Sequence, residues 1–549
     1  MWQRLSLSLV MLVVGLGLLA AAGLAAQAES GSAGLAGKKG GTLRLARFSD
    51  VDSVDPALAY SGPSWTIEFA TCAKLFNYPD AAGAAGTRVI PEVVDTYTVS
   101  KDGRSYTFDL EKSYRFQTGA AVTAQSFADA FNRDASPKMQ SPATSYLHEI
   151  VGADAVIGGT AKAISGVRVL SRYRLQLNLT KPAGDLLARL TQPFFCPILP
   201  GTPIEPAGID NPAGSGPYYV AERVVNRQII LKRNPFYRGG RPANVDSIVY
   251  TAGVSREACL ADVEQDRTDY CMQVGVPTAA YPRLAATYGI NRPNGQFFVS
   301  PLLSTFFFSF NQDRPAFKGP GQIPLEKAIN YAIDRPALVR PFGYLAGKRT
   351  DQMLPTALGR DESIYPLKGA DPRTARRWLA RAKLRPTTLV LYTLNTGDGI
   401  AVAQVFAFDL KQIGIDVEVK YFDFGTFFDK IGTRGEPFDV AYGGWTVDFA
   451  DGGSYFEPLL NGENLGATGN TNTSYSDDPV VNARIDAANS LTGDARRRAW
   501  ADLDVDLMRN DPPWAPFLNL VGRDFVSQSF GCFVRNPVMG VDIAAACKK

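Results

Sequence analysis

The sequence predicts an α/β protein with two units that meet near residue 300. Residues 387–422 contain a strand-like run, a helical run and a second strand-like run, an order that builds parallel sheets. Residues 88–110 contain two β-rich runs around Lys101-Asp102-Gly103, which predicts an antiparallel hairpin. The chain has 549 residues, of which 45% are hydrophobic, and this is enough for more than one core. We therefore expect a β-rich first unit and a second unit of repeated α/β structure.

The first unit shows further strand and helix patterns. Residues 41–48 (GTLRLARF) and 167–179 (VRVLSRYRLQLNL) alternate between apolar and polar side chains, as half-buried strands do. Thr123 is placed to cap a helix over TAQSFADAFNR, in which Phe127 and Phe131 share one face.

The second unit begins its helices with recognisable signals. Asp371 and Pro372 predict the N-cap and the first residue of a helix. A helix is predicted over 401–414, and a further strand over 437–444. The stretch GGWTVDFADGGSYF (443–456) therefore follows the C-terminal end of a strand, where α/β proteins commonly bind ligands.

The C-terminal part of the chain predicts one more helix and one more strand. Residues 494–510 are helical in pattern, and Pro512, Pro513 and Pro516 are expected to separate them from the strand FLNLVGRDFV. The residues themselves leave open which unit this strand joins.

Charge and the N-terminus limit the class of protein. A formal charge of +3 provides no long-range field that would attract nucleic acid, so we expect no nucleic-acid partner. Arg4, an apolar run and Ala26-Gln27-Ala28 predict a signal peptide over 1–28, with an uncleaved anchor helix as the alternative. Residues 29–40 are typical of a flexible leader. The first cysteine is Cys72, so we expect no lipid anchor and a periplasmic or secreted protein.

The predicted export makes the six cysteines candidates for disulfide bonds. Short separations favour Cys259 with Cys271 and Cys532 with Cys547, which leaves Cys72 with Cys196, although six cysteines allow about fifteen connectivities. None of the spacings is typical of zinc, and the single histidine, His148, is expected to be an ordinary helix-face residue. We therefore expect no cofactor and no metal site.

The stretch 443–456 contains Asp448 and Asp451 but no Lys, Arg or His. Carboxylates without a local cation either bond the backbone of their own turn or bind a cation from outside the chain. For Asp451 the first interpretation is preferred, since glycines follow it. For Asp448 the second is preferred, and Trp445 is expected to offer its indole face to a ligand.

Several blocks resemble one family of proteins, in order along most of the chain. They are residues 91–131, GSGPYYV (214–220), RNPFYRGGRPANVDSIVY (233–250) and the run from FSFNQDRPAF to LEKAINYAIDRPALV (308–339). The chain resembles the extracellular solute-binding proteins that serve peptide, opine and nickel ABC importers.

The resemblance implies a two-lobed periplasmic binding protein fold with a hinge and an interlobe ligand cleft. The first lobe would span 41–299, with a small subdomain around 80–172, and the second lobe would span 300–511. Residues 512–549 would return to complete the first lobe, and this would place the last strand there.

The resemblance also implies a ligand site. In peptide-binding members an Asp in a Gly-Trp-x-x-Asp context pairs with the α-ammonium group of the peptide, and Trp445, Thr446, Val447 and Asp448 match that pattern. Two blocks depart from the family. Phe116-Gln117-Thr118-Gly119 lacks the usual His, and residues 395–404 lack the Arg that holds the carboxylate of a dipeptide. Longer peptides held by the amino end, or another cationic solute, fit these departures better.

The resemblance implies a substrate-binding component of an ABC importer, not an enzyme. It would act as a monomer that captures peptides in the periplasm and delivers them to the permease subunits with their ATPases. The alternatives are an opine, a metal chelate or another small cationic solute. A secreted hydrolase that uses Asp448 and Asp451 as an acid/base pair is a further alternative.

Overall fold

The computed structural model describes residues 38–272 and 275–549. The predicted signal peptide and residues 29–37 of the predicted leader lie outside the described residues. Within the described ranges, no helix is both long enough and apolar enough to cross a membrane.

The strands of the described chain form three larger sheets and three small two-stranded ribbons. In chain order the strands are β1 Thr42–Ala46, β2 Phe76–Asn77, β3 Ile90–Pro91, β4 Val94–Val99, β5 Ser105–Leu110, β6 Val167–Ser171, β7 Arg174–Asn178, β8 Tyr218–Val224, β9 Gln228–Arg233, β10 Ser247–Thr251, β11 Tyr270–Cys271, β12 Phe297–Phe310, β13 Gly347–Arg349, β14 Thr388–Leu394, β15 Asp416–Phe422, β16 Val440–Thr446, β17 Trp514–Phe525, β18 Phe530–Gly531, β19 Arg535–Asn536, β20 Gly540–Val541 and β21 Cys547–Lys548.

Helices cover these sheets and connect their strands. In chain order the α-helices are α1 Gly62–Thr71, α2 Ala124–Asp134, α3 Ala153–Ile157, α4 Leu186–Arg189, α5 Arg256–Glu264, α6 Tyr281–Tyr288, α7 Ile323–Ala332, α8 Arg335–Val339, α9 Pro372–Leu379, α10 Gly397–Lys411, α11 Phe424–Ile431, α12 Gly453–Leu460, α13 Pro479–Asn489 and α14 Gly493–Asn510. Short 3₁₀ helices cover Gly83–Thr87, Pro142–Tyr146, Pro193–Phe195, Thr278–Ala280, Pro320–Gln322, Arg340–Phe342 and Gly462–Asn464.

The first half of the chain builds two separate sheets. The five-stranded sheet has the order β11-β1-β10-β9-β8, and the four-stranded sheet has the order β4-β5-β7-β6. The predicted hairpin around Gly103 is confirmed, because β4 and β5 pair antiparallel. The predicted helix after Thr123 is also confirmed, and Phe127 and Phe131 are buried in the core beside the four-stranded sheet. Residues 167–179 form two antiparallel strands instead of one, since a turn separates β6 from β7.

The six-stranded sheet has the order β13-β17-β12-β16-β14-β15. The predicted strand, helix, strand unit is confirmed, because β14 and β15 pair in parallel and α10 joins them. Helix α10 begins at Gly397, earlier than predicted, because the Thr396 hydroxyl accepts a hydrogen bond from the amide of Gly399 at 3.2 Å. Strand β14 pairs with β15 on one side and with β16 on the other. The stretch 443–456 therefore covers the C-terminal end of a strand of this sheet and the residues after it, as expected.

The last long strand, β17, lies in the six-stranded sheet. The resemblance implied instead that this strand completes the first lobe. Strand β17 pairs with β12 and β13 in the six-stranded sheet, and it begins at Trp514 in spite of Pro516. Pro516 lies opposite Phe307, where the register of the two strands shifts, so the missing amide of proline is tolerated there. The C-terminal end of β17 reaches the five-stranded sheet, since Asp524 accepts a hydrogen bond from the Tyr270 hydroxyl at 2.6 Å. The residues after β17 continue into that sheet's core, where Val526, Phe530 and Val541 are buried.

The predicted boundary near residue 300 lies inside strand β12. The apolar run FFVSPLLSTFFFSF forms one strand of 14 residues, which passes from the neighbourhood of the five-stranded sheet into the six-stranded sheet. The pairing of β12 with β17 is interrupted between Pro301 and Thr305, at the point of passage. The residue boundaries of the predicted lobes stay a prediction.

The three expected disulfide bonds are present. They join Cys72 to Cys196, Cys259 to Cys271 and Cys532 to Cys547. The first bond links residues that are 124 positions apart, so it closes by far the longest loop of the three.

Candidate functional site

A cavity of about 760 Å³ lies between two groups of residues. One group is Tyr60 with residues between 142 and 189, and the other runs from Trp445, near the end of strand β16, to Asn472. One wall carries Tyr60, Tyr146 and Lys181, and the opposite wall carries Trp445, Glu457 and Asn464. The two walls come from distant parts of the sequence, so the cavity exists only in the folded chain. Its volume is in the range of protein pockets that hold small ligands.

Asp448 lies two residues beyond the end of strand β16, next to this cavity. Its side chain is buried at 7% exposure, and the hydroxyl of Tyr146 donates a hydrogen bond to its Oδ2 at 2.8 Å. The backbone amide of Asp448 donates to Ser454 Oγ at 2.9 Å, which holds the residue against the start of helix α12. The carboxylate of one wall is therefore bonded to a tyrosine of the other.

The burial of Asp448 and its hydrogen bonds to tyrosine determine its protonation. Burial raises the pKa of the Asp448 carboxyl to about 7, although hydrogen bonds from Tyr146 and Tyr60 act in the opposite direction. The two tyrosine hydroxyls lie 3.4 Å apart, and burial also raises their pKa values, so both remain neutral donors. No Lys, Arg or His among the described residues forms an ion pair with Asp448. A cation from outside the chain would therefore find an uncompensated carboxylate.

The other residues of the predicted Gly-Trp-x-x-Asp site have different positions. Trp445 is half-buried and lines the cavity, and its Nε1 donates to the carbonyl of Ser454 at 2.8 Å. Thr446 is the exposed last residue of strand β16. Val447 is 3% exposed and packs in the hydrophobic cluster beside Leu303, so its side chain belongs to the core, and the ligand contact expected for this residue stays a prediction.

Asp451 is a turn residue, as preferred from the sequence, and it also has a cationic partner within the chain. Its Oδ1 accepts from the amide of Gly453 at 2.7 Å, and its two oxygens accept from Arg496 at 2.7 and 2.9 Å. Arg496 also lies 3.4 Å from Asp185, so one guanidinium joins carboxylates from both sides of the cavity. Because Asp451 is neutralised in this way, it is poorly suited to act with Asp448 as the acid/base pair of a hydrolase.

The tyrosines are the functional candidates that the sequence did not reveal. Tyr146 is 302 positions away from Asp448, and no local pattern marks it or Tyr60. Only the fold brings them together.

His148 also differs from its predicted setting. It lies in a turn after the 3₁₀ helix Pro142–Tyr146, is exposed, and its Nδ1 is 2.6 Å from Asp154. Among residues 38–272 and 275–549, no group of three or more His, Cys, Asp or Glu side chains could hold a metal ion.

Residues 88–467 match the family described as bacterial extracellular solute-binding proteins, family 5 Middle. The chain belongs to this family. Solute-binding proteins of family 5 are a class of binding proteins and not of enzymes. The chain is 26% identical over 515 residues to the periplasmic oligopeptide-binding protein OppA of Escherichia coli (strain K12), and the alignment covers 89% of each chain.

Solved structures of other binding proteins have the same architecture. The chain superposes on the clavulanic acid biosynthesis oligopeptide binding protein 2 with a TM-score of 0.85 and 24% identity, covering 93% of this chain and 96% of that one. It superposes on the murein tripeptide binding protein MppA of Escherichia coli with a TM-score of 0.74 and 22% identity, covering 94% and 99%. The chain thus has the two-lobed α/β fold of periplasmic binding proteins, as the sequence blocks implied.

Proposed function

We propose that this family 5 protein is the substrate-binding component of an ABC importer and that it captures peptides in the periplasm. The observation that carries this proposal is the buried Asp448 carboxylate beside the cavity, held by neutral hydroxyls and without an ion pair among the described residues. The relatives named as oligopeptide-binding proteins support the same class of ligand.

The proposed contact is an ion pair between Asp448 and the α-ammonium group of the peptide. A contact pair gains about 1 kcal/mol in water but about 4 kcal/mol at the effective dielectric of a protein cleft, and desolvation takes back a part. In this arrangement Tyr146 and Tyr60 would orient the carboxylate, and Trp445 would offer a flat apolar face to the chain of the ligand. The absence of Lys and Arg from residues 395–404 favours ligands that are longer than a dipeptide.

We propose further that the lobes move about strands β12 and β17. These two paired strands connect the two halves, and their pairing is interrupted between Pro301 and Thr305. Closure on the ligand would create the surface that permease subunits recognise, so binding and delivery would be coupled. The signal peptide predicted over 1–28 and the periplasmic relatives support export.

A thermal-shift screen tests the proposed ligand class. The mature protein is unfolded and refolded to remove bound ligand, and is then mixed with peptides of two to eight residues, each in free and N-acetylated form. Ligand at 100 times its dissociation constant stabilises the folded state by about 2.7 kcal/mol. Shifts with free-amino peptides alone are the expected result. If no peptide shifts the transition while an opine, a metal chelate or another cationic solute does, the peptide proposal is wrong.

A further inference from the structure

The charged side chains of the cavity wall are mostly neutralised by one another. Arg189 lies 2.7 Å from Glu149 and 2.8 Å from Asp185. Lys181 lies 2.7 Å from Asp486. Each cation that lines the cavity thus already has an acidic partner within the chain, and these groups have little capacity left for a ligand.

Glu457 differs from these residues because its partners are neutral. The side-chain amides of Asn461, Asn464 and Asn489 donate to its carboxylate at 3.2, 3.4 and 2.8 Å. Among the described residues, Glu457 forms no ion pair with Lys, Arg or His. Its side chain lies on helix α12, one turn beyond the segment that holds Asp448, and it lines the same cavity as Trp445.

The amide donors hold Glu457 ready to accept a cation. Three hydrogen bonds from neutral groups orient the carboxylate without removing its charge, and a charged acceptor gains more from a charged donor than from an amide. Burial and the nearby charge of Glu149 raise the pKa of the Glu457 carboxyl, while hydrogen bonds from Asn489 and Asn464 and the more distant charge of Arg189 act in the opposite direction. A cation in direct contact would favour the ionised form.

We infer that Glu457 is a specificity determinant which selects peptides with a basic side chain, Lys or Arg, for the cavity. The inference rests on the proposed function, because it adds a second anchor to a ligand whose α-ammonium group is held by Asp448. Glu457 lines the cavity and Asp448 lies beside it, so the two carboxylates suit one ligand with two cationic groups, and a free amino end together with a basic side chain supplies them. A peptide with a neutral side chain opposite Glu457 would leave the charge of this carboxylate uncompensated in the closed cleft.

Isothermal titration calorimetry with matched peptides tests the inference. The probes are alanine-based tetrapeptides with a free amino end and a single Lys, Gln or Glu at the second, third or fourth residue. We expect the Lys peptide to bind wild-type protein about tenfold or more tighter than the Gln peptide at one position, with the Glu peptide weakest, as for a charge-assisted contact. In Glu457→Gln the ratio of Lys to Gln affinity should fall to within about twofold, while the Gln peptide keeps its affinity.

Glu463→Gln is the matched control. Glu463 lines the same cavity and carries the same charge, but it is exposed, so its substitution should leave the Lys preference within about twofold of wild type. A Lys preference that persists in Glu457→Gln overturns the inference, and so does the absence of any preference in wild type. The wild-type comparison decides even if the variant does not fold. If no tetrapeptide binds and no peptide of two to eight residues shifts the thermal transition, the proposed function itself fails, and this outcome is distinct from binding without preference.

Discussion

Binding of an amino end to Asp448 should release protons near neutral pH. Burial raises the pKa of this carboxyl to about 7, so at pH 7 half of the protein molecules carry a proton on it. A bound ammonium group favours the ionised carboxylate, and the proton is then lost. Full ionisation on binding would release about 0.5 proton per peptide at pH 7.

The peptide itself changes the expected value slightly. A free α-amino group has a pKa of about 7.7–8.0, so binding of the ammonium form takes up roughly 0.1–0.2 proton at pH 7. The net release should therefore be about 0.3–0.4 proton per peptide. Below pH 6 the release approaches one proton, and affinity falls as pH decreases because protonation of Asp448 competes with the cation.

Calorimetric titrations at pH 7 in buffers with different ionisation enthalpies measure this number directly, since the apparent enthalpy varies linearly with the ionisation enthalpy of the buffer. In Tyr146→Phe the loss of the hydroxyl that donates to Asp448 should raise its pKa further, and the release should increase. In Asp448→Asn only the small uptake by the amine should remain. A slope of zero in wild type would refute the claim that Asp448 is the group that receives the cation.

Three further changes test the structure around the site. Replacing Cys72 and Cys196 by Ser should lower the free energy of unfolding by about 2–5 kcal/mol in denaturant titrations, whereas unchanged stability would contradict the bond. Arg496→Met should cost about 3 kcal/mol or more in the same assay, because Asp451 loses its cationic partner and Asp185 keeps only Arg189. Asp504, with a pKa that burial raises to about 7, binds a proton in the folded state at pH values where the unfolded chain has lost it. Stability should therefore decrease as pH rises from about 4 to 7, and Asp504→Asn should make that decrease shallower in thermal melts.

The parts of the fold that local patterns determine could be predicted from the sequence. The hairpin at Gly103, the helix after Thr123 and the parallel pair β14 and β15 depend on turn residues, caps and periodicity within a short window. The disulfide bonds also followed from short separations, with the remaining pair left by elimination.

The features that could not be predicted lie where distant parts of the chain meet. Strand β17 pairs with β12 in the six-stranded sheet, and no residue within β17 indicates which strand it pairs with. The Asp448 site showed the same limit, because Tyr146 reaches it across 302 positions of sequence. Arg496 likewise neutralises Asp451 from helix α14, although the stretch 443–456 contains no cation of its own.

The role of Asp448 is tested most directly by the affinity of Asp448→Asn for one free-amino peptide and its N-acetylated analogue, measured by calorimetry beside wild type. We expect a loss of about 2–3 kcal/mol, a factor of roughly 30–150, for the free peptide. We expect less than about a twofold change for the acetylated peptide, which has no cation to lose. Equal losses for both peptides, or no loss for either, would contradict the claim that Asp448 holds the amino end of the ligand.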